Sequence, residues 1–202
     1  MRIVGGKHRG RTIESPTGAG VRPTSDRARE SLFNILEHGR FSADGTSLLP
    51  GAHVLDVFSG TGAFAIEALS RGAADATLID NDPAAMVLAR RNLTTLGESA
   101  HATLVQSDAT RPPPAPRRHE IVFLDPPYTT GLGAPVLEAL AAAGWLAPDA
   151  VCIVETGSKE RFAPPQGFIA LDERRYGRAK LTFLRYEAGA PAARPGLSHR
   201  SV

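Results

Sequence analysis

The sequence predicts an α/β protein: a doubly wound, mostly parallel seven-stranded sheet. An antiparallel C-terminal hairpin and a short N-terminal β-hairpin and helix extension complete it. Three observations carry this prediction. From residue 53 onward, short apolar runs alternate with helical patterns, which implies parallel pairing through right-handed crossovers. The last two runs, 168–171 and 181–186, flank Gly177-Arg178 without a helix between them, as a hairpin at a sheet edge does. Successive strand-like runs end in or next to an aspartate, and in such sheets the loops beyond the strand ends line one crevice.

The elements follow in chain order. Arg2-Ile3-Val4 and Arg11-Thr12-Ile13 are short β-like runs around a glycine- and arginine-rich turn. Ser25 or Asp26 can cap a helix running to about His38, with Ala28, Leu32, Ile35 and Leu36 on one face. Residues 39–52 are loop. Strands are expected at 53–57, 76–79, 102–105, 120–124 and 150–155. Helices are expected at 63–70, 83–96 and about 134–145; Pro83 suits a first helical turn. The organisation read from this is an arm and helix over 1–40, one large domain over 41–187, and a tail rich in Ala, Pro, Gly and Arg over 188–202.

Bulk properties exclude several function classes. No apolar run approaches the roughly 20 residues of a membrane span. The start, Met1-Arg2-Ile3-Val4-Gly5-Gly6, has no signal-peptide core, so a cytoplasmic protein is expected. A single cysteine, Cys152, excludes an internal disulfide and a multi-cysteine metal site, and the histidines lack ligand spacing. Net charge is only +2, but residues 1–40 hold eight basic and four acidic residues, about +4. A basic arm on a near-neutral body fits a polyanion, with Lys7, His8, Arg9, Arg11 and Arg22 as phosphate contacts.

The loop Asp56-Val57-Phe58-Ser59-Gly60-Thr61-Gly62-Ala63 joins the first sheet strand to its helix. Glycines there let backbone approach a ligand. Asp80 ends the next strand, 20 positions after Gly60, where a carboxylate can accept from ribose hydroxyls. Gly60-x-Gly62-x-x-Ala65 with Asp80 also satisfies a relaxed dinucleotide fingerprint. Two further acids turn the reading away from a nicotinamide cofactor: Asp56 before the loop, and Asp108, beside Ala109, after the next strand. A pyrophosphate favours exposed helix N–H donors and is repelled by extra carboxylates. S-adenosylmethionine, with ribose, adenine, ammonium and sulfonium, suits an acid-rich pocket, and no metal is needed.

Asp125-Pro126-Pro127-Tyr128 ends the following strand. Proline stops a central strand and removes conformational freedom. The result is a rigid platform of acceptors and a ring, suited to a planar amine. The exocyclic amine of a nucleobase is a poor nucleophile, because its lone pair is delocalised. Acceptors that favour a more tetrahedral nitrogen help expose that pair.

Together, Asp56-x-Phe58-x-Gly60-x-Gly62 and Asp125-Pro126-Pro127-Tyr128 resemble the class I S-adenosylmethionine-dependent amino-methyltransferases. Gly5-Gly6, Arg9-Gly10-Arg11 and Arg22-Pro23-Thr24-x-Asp26-Arg27-x-Arg29-Glu30-x-Leu32-Phe33-Asn34 narrow the resemblance. Those stretches look like the bacterial small-subunit ribosomal RNA guanine-N2 methyltransferase family, as does Arg175-Tyr176-Gly177, over about 1–187. The resemblance implies methyl transfer to the N2 amine of one guanine in 16S ribosomal RNA, within an assembled subunit particle, by a monomer. It implies donor contacts from Asp56, Phe58, Gly60, Gly62, Asp80, Asn81, Asp108 and Ala109, with Thr24 closing over the donor. It gives Asp125, Pro126, Pro127 and Tyr128 to the target amine. A DNA adenine or cytosine amino-methyltransferase and a protein-glutamine methyltransferase stay open as alternatives. A separate target-recognition domain, expected for the first, is not evident in 202 residues. The second usually carries Asn in place of Asp125.

Overall fold

The structure is a computed structural model and describes residues 1–15, 26–42 and 44–189. Among the described residues, four α-helices, α1 (Asp26–Glu37), α2 (Ala63–Ser70), α3 (Pro83–Leu96) and α4 (Gly133–Ala142), accompany seven strands. The strands are β1 (His53–Val57), β2 (Asp75–Asp80), β3 (Ala102–Gln106), β4 (His119–Leu124), β5 (Leu146–Gly157), β6 (Phe168–Tyr176) and β7 (Ala179–Tyr186). They form one sheet in the order β3-β2-β1-β4-β5-β7-β6. The first five are parallel, and β7 pairs antiparallel with both β5 and β6. The order reverses between β1 and β4, so the switch-point crevice lies beyond Val57 and Leu124.

Alternation along the strands divides the core in two. Val54, Ala76, Leu78, Ile121, Phe123 and Ile153 pack with Leu32, Phe33 and Leu36 of α1, Phe64 and Leu69 of α2, and Leu93 of α3. Leu55, Val57, Ile79, Val122, Leu124 and Val154 pack with Val136, Leu137 and Leu140 of α4 and with Trp145. Ile3 and Ile13 of the arm belong to the first cluster and are fully buried. Between them stand a single bridge, Arg2 to Thr12, and a 3-10 turn at Gly6–His8. The expected N-terminal hairpin is thus one rung long.

Buried charges fasten the arm and α1 to α2. Glu67, completely buried, accepts from the Val4 amide at 2.9 Å and from Arg71 Nε at 2.9 Å. Arg71 also pairs with Glu37 of α1, and Arg29 donates to the Arg2 carbonyl. Removing one member would strand a buried charge, at about 3–5 kcal/mol.

Three expected boundaries are corrected. The fourth helix ends at Ala142 rather than 145: Gly144 takes φ +82°, and the Trp145 amide turns back to the Leu140 carbonyl. Strand β5 starts at Leu146, not 150, because Pro148 and Asp149 (φ +61°) sit in a bulge where the pairing with β4 shifts. Strand β6 runs on from Leu171 to Tyr176 through Asp172, Glu173, Arg174 and Arg175. That charged run does not read as strand. As the edge of the sheet it faces water, and charge there blocks pairing with other chains.

Candidate active site

Five stations stand side by side along the carboxyl edge of the sheet. In spatial order they are Asp108 after β3, Asp80 at the end of β2, the loop 58–62 after β1, Asp125 after β4, and Glu155 near the end of β5. Register settles which side chains share a face. Asp56 pairs with Phe123, and Leu124 with Val154, so Asp125 and Glu155 occupy the next rung of adjacent strands. By alternation Asp56, Asp125 and Glu155 all project to the α2 side.

The glycine loop is held from two directions. The amides of Phe58 and Ser59 both donate to the Ile79 carbonyl, and the Gly60 amide donates to Asp80 Oδ2 at 2.8 Å. Asp80 Oδ1 accepts from the Asp82 amide at 2.9 Å. Phe58 is left-handed at φ +61°, an uncommon state for a residue with a side chain, and such strain concentrates at functional sites. Gly62 (φ +74°) is needed for packing, since a Cβ there would stand 2.8 Å from Leu78 Cδ2. Gly60 (φ +50°) is different: a Cβ would meet nothing closer than 4.0 Å, so that side of the loop is open. The Ser59 hydroxyl is buried and has no hydrogen-bond partner among the described residues.

The carboxylates are unequal. Asp56, 2% exposed, accepts from the Ala65 amide in the first turn of α2 at 3.0 Å. Burial pushes its pKa up to about 8, against that hydrogen bond and with help from the charge of Asp80. Asp125 is also raised well above the usual carboxylate range, by burial first and then by Glu155 and Asp56. Asp108 is exposed and held below that range by the amide and hydroxyl of Thr110, both at 2.8 Å. Asn81 is exposed beside Asp80, and Ala109 is buried in the α4-side core.

Pro126 is buried, Pro127 exposed, and Tyr128 is 41% exposed. The Tyr128 hydroxyl donates to Glu155 Oε1 at 3.0 Å, and Glu155 is itself 2% exposed. Just beyond, the Thr129 amide (φ +65°) donates to Glu160 Oε2 at 3.0 Å. The crevice therefore offers one acceptor-rich, partly apolar wall on the β4–β5 side. Its β1–β3 side offers carboxylates and an open glycine loop.

A family model described as conserved hypothetical protein 95 matches residues 1–185. The chain belongs to this family. Ribosomal RNA small subunit methyltransferase D of Escherichia coli strain K12 is 41% identical over 161 residues, covering 77% of this chain and 74% of that protein. A solved structure described as putative methyltransferase yhhF from Escherichia coli superposes with a TM-score of 0.77 at 37% identity, covering 93% of this chain and 98% of that one. An RNA methyltransferase from Salinibacter ruber, solved with S-adenosyl-L-homocysteine, shares the fold: TM-score 0.63 and 15% identity over 85% of this chain and 98% of that one. As a member of this methyltransferase family, the chain is a methyltransferase with the doubly wound fold its sequence predicts.

Among the residues expected at the family's active site, Asp56, Phe58, Gly60, Gly62, Asp80 and Asp125 to Tyr128 converge on the crevice, with Asp108 at its β3 flank. Arg22 and Thr24 lie outside the described residues. Lys7, Arg9 and Arg11 do not join the crevice. The Gly5 carbonyl and His8 amide bond Ser70 Oγ at the C-terminal end of α2, and Lys7 pairs with Glu98 at 2.8 Å just after α3. Both helices run away from the strands' carboxyl ends, so the arm sits at the opposite edge of the sheet. Arg11 there contacts the Thr95 carbonyl, and His8 the Glu98 carboxylate. Sequence reasoning missed Glu155. The signal was present, since the expected strand 150–155 also closes on an acid.

Proposed function

We propose that this methyltransferase transfers the methyl group of S-adenosylmethionine to the exocyclic N2 amine of a guanine in 16S ribosomal RNA. The observation that carries the reading is the wall Asp125-Pro126-Pro127-Tyr128 against Glu155, at the switch point beside the glycine loop. A half-buried carboxyl with a proline-fixed carbonyl accepts from an amine's two N–H bonds, and the exposed ring offers a stacking face. The family relatives, one of which is named for small-subunit ribosomal RNA, support the substrate class.

The residues also fit the donor. The open side of Gly60, the unpartnered Ser59 hydroxyl and the carboxylates Asp56 and Asp80 make a cradle for a cationic, hydroxyl-bearing ligand. When bound, S-adenosylmethionine supplies a methyl group activated by a sulfonium. Asp80 holds the ribose, exchanging part of its bond to the Gly60 amide for hydroxyl donors. Asp108, Ala109 and Asn81 border the adenine, and Phe58 and Gly62 shape the loop. Asp56 orders the start of α2 and meets the cationic end. Asp125 orients the target amine, and Tyr128 stacks on the guanine. Extruding that base costs a few kcal/mol in a duplex and less in a loop.

Residues 1–40 act as arm and lid, with Thr24 over the donor and Arg22, Lys7, Arg9 and Arg11 on phosphates; 41–187 form the catalytic unit. The monomeric enzyme acts in the cytoplasm, on an assembled small-subunit particle. The test is transfer of labelled methyl to 16S RNA, 30S particles and DNA, followed by nucleoside analysis. N2-methylguanosine is expected. N6-methyladenine, or no transfer to any RNA, overturns the reading.

A further inference from the structure

An open groove of about 690 Å³ lies beside the candidate amine site, and among the described residues neither the glycine loop nor the arm lines it. Its walls are residues 158–163, which follow β5, and Arg175 and Lys180, which flank the turn between β6 and β7. Thr156 pairs with Lys180, and Arg175 with Lys180, so this turn stands at the same carboxyl edge of the sheet as Asp125. The link to the platform is direct. Glu160 Oε2 accepts from the Thr129 amide at 3.0 Å and from the Gly157 amide at 3.3 Å, tying one wall to the residue after Tyr128.

The lining carries four cations, Lys159, Arg161, Arg175 and Lys180, against one carboxylate, Glu160, whose Oε2 is turned to backbone amides. Lys180 is 5% exposed; its ammonium donates to the Glu160 carbonyl at 2.8 Å and stands 3.5 Å from Glu173. Arg175 pairs with Glu173 at 3.2 Å. Lys159 and Arg161 are exposed and form no ion pair among the described residues. Phe162 supplies an apolar surface and is kept in place by Gly133, where a Cβ would stand 2.9 Å from its ring. Cations interleaved with an aromatic ring along an open groove are what a single-stranded nucleic acid backbone needs.

Resting on the proposed RNA substrate, we propose that this groove holds the phosphates of the strand flanking the extruded guanine, with Lys159 and Arg161 as principal contacts. Lys7, Arg9 and Arg11 lie at the far edge of the sheet and are too remote for that task. The groove adjoins Tyr128, so phosphates bound there fix where the flipped base emerges. Such contacts position the strand and carry no base specificity.

The test compares full-length wild type with Lys159→Glu, Arg161→Glu and the double variant on 30S particles and 16S RNA. A control, Arg90→Glu, reverses an exposed charge on α3. The double variant is expected to raise the RNA KM at least about tenfold, with S-adenosylhomocysteine affinity unchanged by calorimetry. The slope of log affinity against log salt should fall by about one per contact removed. Groove variants that match wild type in KM and salt slope overturn the proposal, and so does an equal loss in Arg90→Glu. If wild type methylates no RNA, the substrate reading fails first and the groove's assignment with it.

Discussion

The hydroxyl of Tyr128 donates to Glu155 Oε1 at 3.0 Å, fastening the ring after the proline pair to the end of the neighbouring strand. Glu155 also raises the pKa of Asp125. One buried carboxylate thus acts on both halves of the platform.

Glu155→Gln keeps an acceptor for Tyr128 and removes the charge. Without that repulsion the Asp125 pKa falls, so an acidic limb of kcat/KM that reports Asp125 should move to lower pH. A pH–rate profile measures this, and an unmoved limb would separate Glu155 from Asp125. Tyr128→Phe removes the hydroxyl that bonds Glu155, keeps the ring, and should lower kcat by about tenfold or less.

On the proposed assignment, Asp125→Ala removes an acceptor from the reacting amine. Turnover should drop on the order of 100-fold or more, while calorimetric donor affinity stays within about threefold. Asp125→Asn retains a carbonyl oxygen and should fall between wild type and Ala. A large loss of donor affinity in Asp125→Ala would move this residue to the other half of the crevice.

Asp80→Ala is expected to do the reverse. Donor affinity should weaken on the order of 10- to 100-fold, with kcat at saturating donor largely kept. The variant also frees the Gly60 amide, so calorimetry should be paired with amide exchange at the loop.

Asp56 makes ligand-free stability depend on pH. Its folded pKa, about 8, lies above the unfolded value near 4, so the folded state binds the proton more tightly. Its contribution is fully present below about pH 4 and is lost as pH rises toward 8. Asp56→Asn still accepts from Ala65 and never ionises. It should match wild type in urea unfolding at pH 4 within about 1 kcal/mol and exceed it at pH 9, by an amount on the order of a few kcal/mol. A variant less stable at pH 9 would refute this assignment.

Gly62→Ala places a Cβ on a left-handed backbone, 2.8 Å from Leu78 Cδ2. Unfolding free energy should fall by about 1–3 kcal/mol. The same change at Gly60 meets open space, so its stability cost should be smaller and its loss of donor affinity larger.

Much of this molecule was legible in its residues. Local patterns bound β1, α2 and α3 to their observed ends, because Gly62, Pro83 and Gly97 punctuate them within a few positions. The carboxylates of the crevice were legible too, since a parallel sheet brings the ends of its strands to one edge whatever the loops do. Strand β6 was cut short because a solvated edge needs no apolar alternation, and β5 because a bulge hides strand character behind Pro148.

By itself, then, the sequence determined the parallel architecture, the acid-rich crevice and the proline-stiffened stretch Asp125–Tyr128 at its rim, all products of short-range punctuation and strand order. Tertiary structure alone decided the rest. It buried Asp56 and Asp125 deeply enough to raise their pKa values, joined Tyr128 to Glu155 across 27 residues, and carried Lys7, Arg9 and Arg11 to the far edge of the sheet. It also gathered Lys159, Arg161, Arg175 and Lys180 around one groove. Burial, charge and proximity depend on which distant segments pack together, and no local pattern encodes that.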